Sequence, residues 1–367
     1  MNYLLSIFID FFANFGIPKE VVYIIFPIIP FCIVAAALIL VVLVLVLVER
    51  KILALFTQRK GPNRVGFCGI LQTVADAVKL LCKENIEPNV TDRILFSLAP
   101  IIAFVPVMVC WGIIPFSSEF DFISISVSSL LFAVIAVIPV IGVILAGYSS
   151  NNKYSLIGSV RSAVQVISYE LPIMFVILSV SILASSLNIK DIILSQTSMY
   201  QVCGWYIFPC FLGFVILFVS SLAELNRCPF DLPEAESELV AGYNTEYSGM
   251  RFALFFLGEY AMLFVSSAFI TALFFGGFLS PFGFYISEKI FNNNVLAQIG
   301  IYFEQAFWFF IKSFLIVFLI MWVRAVLPRL KSSDLLKFSW RILLPLSILN
   351  FIYICLFKYI VMIGGLK

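Results

Sequence analysis

Apolar residues run through this chain in blocks too long for the core of a soluble protein. Eight such blocks, at about 22–48, 94–115, 126–149, 166–187, 203–223, 252–276, 305–327 and 340–363, carry few charges. Each is close to the ~20 residues a helix needs to cross a hydrocarbon layer of ~30 Å. The alternating pattern of membrane β-strands is absent from them. The pattern predicts one all-α polytopic membrane domain over residues 1–367, with eight transmembrane helices. Residues 1–21 are apolar but broken by Asp10, Asn14, Gly16 and Pro18, and read as an interfacial segment.

The polar connections set an orientation. Those after the first, third, fifth and seventh spans, with their flanks, hold 17 of the 23 Lys and Arg residues. The excess of positive charge marks the cytoplasmic or matrix side, so both termini are expected on the periplasmic or intermembrane side. In the first inward connection, about 67–84, Ile70, Leu71, Val74, Val78 and Leu81 recur at helical spacing, with Asp76, Lys79 and Lys83 off that face. This predicts an amphipathic helix in the interface; a helix packed on a neighbouring protein would show the same pattern.

Composition narrows the chemistry. The chain is 62% hydrophobic and 12% charged, with a net charge of +2; its mean hydropathy is +1.09. Nothing in that balance calls for a nucleic-acid partner. It has no histidine, which excludes bis-His haem, His-ligated zinc and imidazole acid–base catalysis. Its eight cysteines are scattered, with no CxxC pair, so neither a metal centre nor a disulfide framework is expected. The N-terminus shows no basic region followed by a small-residue cleavage site, and no cleaved leader is expected.

Acidic residues are concentrated in an inward loop, 224–251, where Glu224, Asp231, Glu234, Glu236, Glu238 and Glu246 fall close together. Glu259 follows inside the sixth span and Glu170 sits inside the fourth. A carboxylate in hydrocarbon is costly, so one is read first as functional and second as half of a structural ion pair. Crowded carboxylates raise each other's pKa toward the working range, which suits proton handling. Asp231-Leu232-Pro233-Glu234 also reads as a helix start, with Asp231 as N-cap, so these acids have a structural explanation as well. Glu224 and Arg227 are spaced to pair along one helical turn. Arg161, Gln165 and Ser168 share a helical face just before Glu170. Acids in or at the edge of three spans predict a polar, hydrated path through the bundle. Glu49-Arg50-Lys51 reads as the stop of the first span, although a stop does not require Glu49. Lys312 in the seventh span and Glu304 near its end have no assigned role, nor has Cys228; Trp308, Trp322 and Trp340 fit an aromatic belt.

Several ordered motifs resemble one family over about 49–346. They are ERK at 49–51, RKGPNRVG at 59–66, GILQTVADAVKLLCKE at 69–84, SNNKYSLIGSVRSAVQVISYELP at 150–172, AELNRCPFDLPEAESELVAGYNTEYSG at 223–249 and RAVLPRLKSSDLLKFSWRILLPLS at 324–347. The family is the membrane subunit of respiratory complex I that borders the quinone site, called the H subunit of NADH-quinone oxidoreductase in bacteria and NADH dehydrogenase subunit 1 in mitochondria. The resemblance implies an eight-helix fold with a lateral opening for the quinone tail near the first span, the amphipathic helix and the sixth span. It implies that Arg50, Arg59 and Arg64 lie near the quinone passage. It places Arg161, Glu170, Glu224, Asp231, Glu234, Glu236, Glu238, Glu246 and Glu259 in an acidic funnel toward proton-conducting partner subunits. Ubiquinone or menaquinone would be the substrate, with nothing bound covalently, and flavin and iron–sulfur clusters would sit in partner subunits. The implied partners are peripheral quinone-site subunits, antiporter-like membrane subunits and the bilayer. The implied location is an energy-transducing membrane, a bacterial cell inner membrane ahead of a mitochondrial one. The N-terminal 20 residues and the 277–303 loop are longer than in compact members, and nothing is transferred to them. The residues alone leave two other classes open: the homologous subunit of a membrane-bound hydrogenase, and a cation or proton transporter working without redox chemistry.

Overall fold

A computed structural model describes residues 28–119, 123, 125–197, 204–233, 239–282 and 294–363. Every regular element among them is helical. In chain order they are α1 (Ile28–Phe56), α2 (Gln72–Cys82), α3 (Arg93–Ile113), α4 (Ser128–Ser149), α5 (Lys153–Ala184), α6 (Ile189–Leu194), α7 (Phe211–Glu224), α8 (Gly249–Phe274), α9 (Asn294–Val326), α10 (Ser332–Phe338) and α11 (Leu344–Ile363). Six helical stretches among the described residues are long and apolar enough to cross a bilayer; they belong to α3, α4, α5, α8, α9 and the α10–α11 segment. With no strands among the described residues, this is the architecture of a polytopic membrane protein. α1 is 29 residues long and apolar up to Val48.

α8 is the central post. Its most apolar stretch is 78% buried, against 17% for the α10–α11 segment. α1, α2, α3, α6, α7 and α9 all pack against it, and Phe132 of α4 stacks on its Phe269 with centroids 3.9 Å apart. α3 and α4 pack closely at Gly142, where a Cβ would lie 2.6 Å from the backbone nitrogen of Ala103. That is the small-residue contact that lets membrane helices approach.

Several elements depart from the expected bounds. α1 continues past Glu49-Arg50-Lys51 to Phe56, because Glu49 is 2% exposed and its charge is matched inside the bundle. α5 starts at Lys153 and spans 32 residues, about 48 Å at ~1.5 Å per residue, so the Arg161–Ser168 stretch belongs to the helix that carries Glu170. α7 has only 14 residues, about 21 Å. The buried turns before it are tied by Gln196 to the end of α8: Gln196 accepts from the Tyr206 amide (3.4 Å) and the Gly276 amide (2.9 Å) and donates to the carbonyls of Ala272 (3.1 Å) and Leu273 (3.2 Å). Irregular backbone is tolerated at such depth only when partnered in this way. α6 is a short buried helix between the fourth and fifth predicted spans, too short for hydrophobic periodicity to reveal.

Two lysines cap helices. Lys312 of α9 donates from Nζ to the carbonyls of Phe275 (2.8 Å), Gly277 (3.1 Å) and Leu279 (2.6 Å), just past the end of α8. Lys358 of α11 does the same for α5, reaching Ile182 (2.9 Å), Leu183 (2.6 Å) and the Ser185 hydroxyl (2.6 Å). A cation at a helix C-terminus satisfies orphan carbonyls and matches the helix dipole. Residues 1–21, expected as an interfacial segment, and the 283–293 part of the 277–303 loop lie outside the described residues.

Candidate functional site

The end of the bundle that carries Glu49 is built on a buried ion cluster. Arg227 donates from Nη1 to Glu49 Oε2 at 2.6 Å, and Arg324 bonds the other oxygen of the same carboxylate. Arg227 is 7% exposed and lies over the Tyr260 ring, 4.5 Å from its centroid. Burial, the largest single influence, would lower the Arg227 pKa, but the charge and hydrogen bond of Glu49 together with Tyr260 and Glu259 outweigh it, and the guanidinium is held more firmly protonated. α1, the turn after α7, α8 and α9 thus converge on one carboxylate. Arg227 pairs with Glu49 and not with Glu224, because the chain leaves helical geometry at Asn226 (φ 49°) and swings the guanidinium away. Sequence spacing could not show this contact, since Glu49 and Arg227 are 178 positions apart.

With Arg227 committed elsewhere, neither Glu170 nor Glu224 has an ion pair or hydrogen bond among the described residues. Both line one cavity of about 30 Å³, together with Ser221 and Ser266. Glu224 also borders a second cavity of about 70 Å³ that reaches Tyr243 and Glu259. Glu259 borders a third, of about 150 Å³, that opens on Arg227 and Asp231. A single water needs ~10–15 Å³ of such space, so each cavity can be hydrated. The result is a row of carboxylates, Glu170, Glu224, Glu259 and Asp231, with a water-sized space between each neighbouring pair. Tyr243 donates its hydroxyl to Glu259 Oε1 at 2.8 Å.

Gln165 holds the turn that sets this row. Its amide nitrogen donates to the carbonyls of Ala223 (2.7 Å) and Phe230 (2.8 Å) and to Asn226 Oδ1 (3.2 Å). Gln165→Leu strips that turn of its donor, and an expected loss of about 1–3 kcal/mol follows from stranding buried carbonyls. The thermal midpoint of the membrane subunit is the measurement; an unchanged midpoint would contradict the role.

The remaining residues predicted from the sequence are placed as follows. Asp231 accepts from Arg329 Nη2 at 2.9 Å, and its Oδ1 is buried with no hydrogen-bond partner among the described residues. Its carboxylate is therefore engaged with an arginine, and the helix it was expected to cap falls on residues outside those described. Glu234, Glu236 and Glu238 lie outside the described residues. Glu246 is not in the cavity row; it accepts from Asn152 Nδ2 at 2.8 Å, against the α4–α5 connection. Arg161 is half-buried on α5, about one turn from Gln165. Nearby Tyr247 stacks on Phe96 (centroids 4.0 Å apart), and burial pushes its hydroxyl up to about 12, so it stays protonated.

Arg50 pairs with Asp76 of α2 at 2.5 Å, and Lys51 donates to the Cys68 carbonyl at 2.8 Å, tying α1 to the amphipathic helix. That helix runs Gln72–Cys82 and leaves Val74, Val78 and Leu81 exposed, as are Ile70 and Leu71 just before it. The turn feeding it needs glycine at Gly69, where φ is +79° and a Cβ would sit 2.1 Å from the Pro62 carbonyl oxygen. Arg59 and Arg64 are exposed on the same loop.

Helix lengths, apolar surfaces and the internal carboxylate row define a multi-pass helical membrane protein with titratable groups inside the bundle. The family model described as NADH dehydrogenase matches residues 29–355. The chain belongs to that family. It is 45% identical over 304 residues to the NADH-quinone oxidoreductase H subunit of Brevibacillus brevis, covering 82% of this chain and 84% of that one. It is 44% identical over 314 residues to the protein of the same name from Bacillus mycoides, covering 85% and 88%. The corresponding protein of Bacillus cytotoxicus is 45% identical over 314 residues, again covering 85% and 88%.

Proposed function

We propose that this chain is the membrane subunit of a proton-pumping NADH:quinone oxidoreductase that forms part of the quinone chamber and couples quinone reduction to proton translocation. It crosses the membrane eight times, with its termini on the outer face and its acidic loop inward. Arg50, Arg59 and Arg64 border the quinone passage beside the exposed apolar face of α2. The substrate is ubiquinone or menaquinone. Electrons arrive from flavin and iron–sulfur clusters in peripheral partner subunits, and protons leave toward antiporter-like membrane subunits. The carrying observation is the pair Glu170 and Glu224, carboxylates on two helices that share a cavity and have no cationic partner among the described residues.

Reduction of the headgroup consumes protons or leaves negative charge in the chamber. The row answers by changing protonation, because neighbouring carboxylates titrate as a coupled set. A proton gained at one end favours release at the next acid, across cavities that each admit water. Asp231 and Glu259 form the chamber end of the row and Glu170 the deep end. Glu246, with Glu234, Glu236, Glu238 and Arg161, extends the funnel at the inward surface.

Glu224→Gln in the assembled enzyme tests this reading, since glutamine keeps the shape and removes the titrating group. Quinone-reductase turnover and proton pumping should both fall by about tenfold, the equivalent of ~1.4 kcal/mol. Glu170→Gln should act in the same direction. Wild-type turnover and pumping in both variants would overturn the proposal, and turnover insensitive to quinone-site inhibitors would favour a redox-independent transporter.

A further inference from the structure

A second site lies away from the carboxylate row, where the start of α3 meets the α4–α5 connection. It is a crevice of about 400 Å³ lined by Val90, Asp92, Tyr148, Asn151, Asn152, Lys153 and Leu156. That volume falls within the ~300–1,000 Å³ of small-ligand sites. Its walls are fixed: the Asp92 amide donates to the Ser149 carbonyl (3.3 Å), Asn151 donates to the Val90 carbonyl (3.3 Å), and Asn152 to Glu246. Asn151 holds φ 48°, an uncommon backbone state for a non-glycine residue. Asp92 and Lys153 are the charged lining residues, one of each sign, and neither has an ion partner among the described residues. Asp92 starts α3 yet makes no capping bond with its side chain.

Below the crevice the protein surface is apolar. Ile94, Leu98, Ile101 and Val105 form an exposed stripe down α3, and Ile141 and Ile144 lead along α4 to the exposed Tyr148. A paired acid and base above two parallel apolar stripes match a molecule with a zwitterionic head and hydrocarbon tails. We infer that this crevice binds an aminophospholipid, with its ammonium at Asp92, its phosphate at Lys153 and the adjacent amides, and its acyl chains on the α3–α4 stripes. An anionic headgroup without an amine would leave Asp92 facing negative charge. A quaternary choline would lose the hydrogen bonds that a primary ammonium gives the carboxylate. The bound lipid would brace Asn152 and through it Glu246, joining membrane composition to the edge of the acidic loop.

The test uses the assembled enzyme, extracted in mild detergent, with bound lipid counted by native mass spectrometry. Asp92→Asn/Lys153→Ala should lose phosphatidylethanolamine occupancy by about tenfold, ~1.4 kcal/mol in binding. Each single variant should lose less. In nanodiscs, phosphatidylethanolamine should raise the thermal midpoint of wild type more than phosphatidylcholine or phosphatidylglycerol does, and the double variant should not discriminate among them. Equal occupancy in wild type and double variant, or equal effects of the three lipids, would overturn the assignment. So would crosslinking of Leu156→Cys to a partner polypeptide in place of lipid. Lipid count and thermal midpoint do not depend on quinone turnover, so this outcome is independent of the proton-coupling proposal.

Discussion

Glu49→Ala is expected to cost about 3–5 kcal/mol, the range for breaking a buried pair by removing one partner. Arg227 would remain 7% exposed without the carboxylate it bonds, leaving only the more distant charge of Glu259. Arg324 has a 38% exposed side chain and can keep water. The whole penalty therefore falls on Arg227, and with it on the joint of α1, α8, α9 and the turn after α7. The amount of this chain in assembled enzyme after membrane extraction is the readout, and it should fall severely. Glu49→Met/Arg227→Met removes both buried charges and should recover most of that loss, since apolar replacement of a whole buried pair is near neutral. Asp76→Asn breaks a comparable contact whose side chains are 34% and 43% exposed, and should cost only ~0–1 kcal/mol. Equal losses from Glu49→Ala and Asp76→Asn would show that the buried cluster has no special weight.

Lys312→Met should be the next most damaging change. It leaves the carbonyls of Phe275, Gly277 and Leu279 without their shared donor and removes an ammonium 4.6 Å from the Trp205 ring centre. Charge-assisted hydrogen bonds are worth ~1.5–3 kcal/mol each. Relief of the lysine's own burial offsets part of this, so a net loss of about 3 kcal/mol is expected. Lys358→Met should cost less, because that side chain is only half-buried and water can replace it. Thermal unfolding of the two variants side by side is the measurement. A smaller loss for Lys312→Met than for Lys358→Met would reverse the ranking that burial dictates.

Much of this is legible in the residues, for reasons that differ by element. α3, α4 and α8 lie within a few residues of their apolar blocks, because hydropathy and helix length coincide there. α5 extends well beyond its apolar block, because Arg161, Gln165 and several serines resemble a loop by composition. They are helical because polar atoms such as those of Gln165 and Ser162 bond the end of α7 and the turn after it, not lipid. Glu170 and Glu224 stand out as acids in apolar surroundings, and the structure brings them to one cavity. Glu246 looks equivalent by charge and is not, since Asn152 holds it at the α4–α5 connection. Lys312 and Glu49 are visible in the sequence only as oddities. Their partners, backbone carbonyls in one case and arginines far along the chain in the other, leave no periodic trace.

The two lysine caps impose a chronology on the nascent protein. Translation delivers α5 and α8 before α9 and α11, and membrane helices insert as they emerge. During that interval the ends of the earlier helices wait for ammonium groups that have not yet been made. The C-terminal ends of α5 and α8 are therefore fastened last, by the chain's later helices. A ribosome stalled before Lys312 would leave behind a membrane intermediate with both fasteners missing.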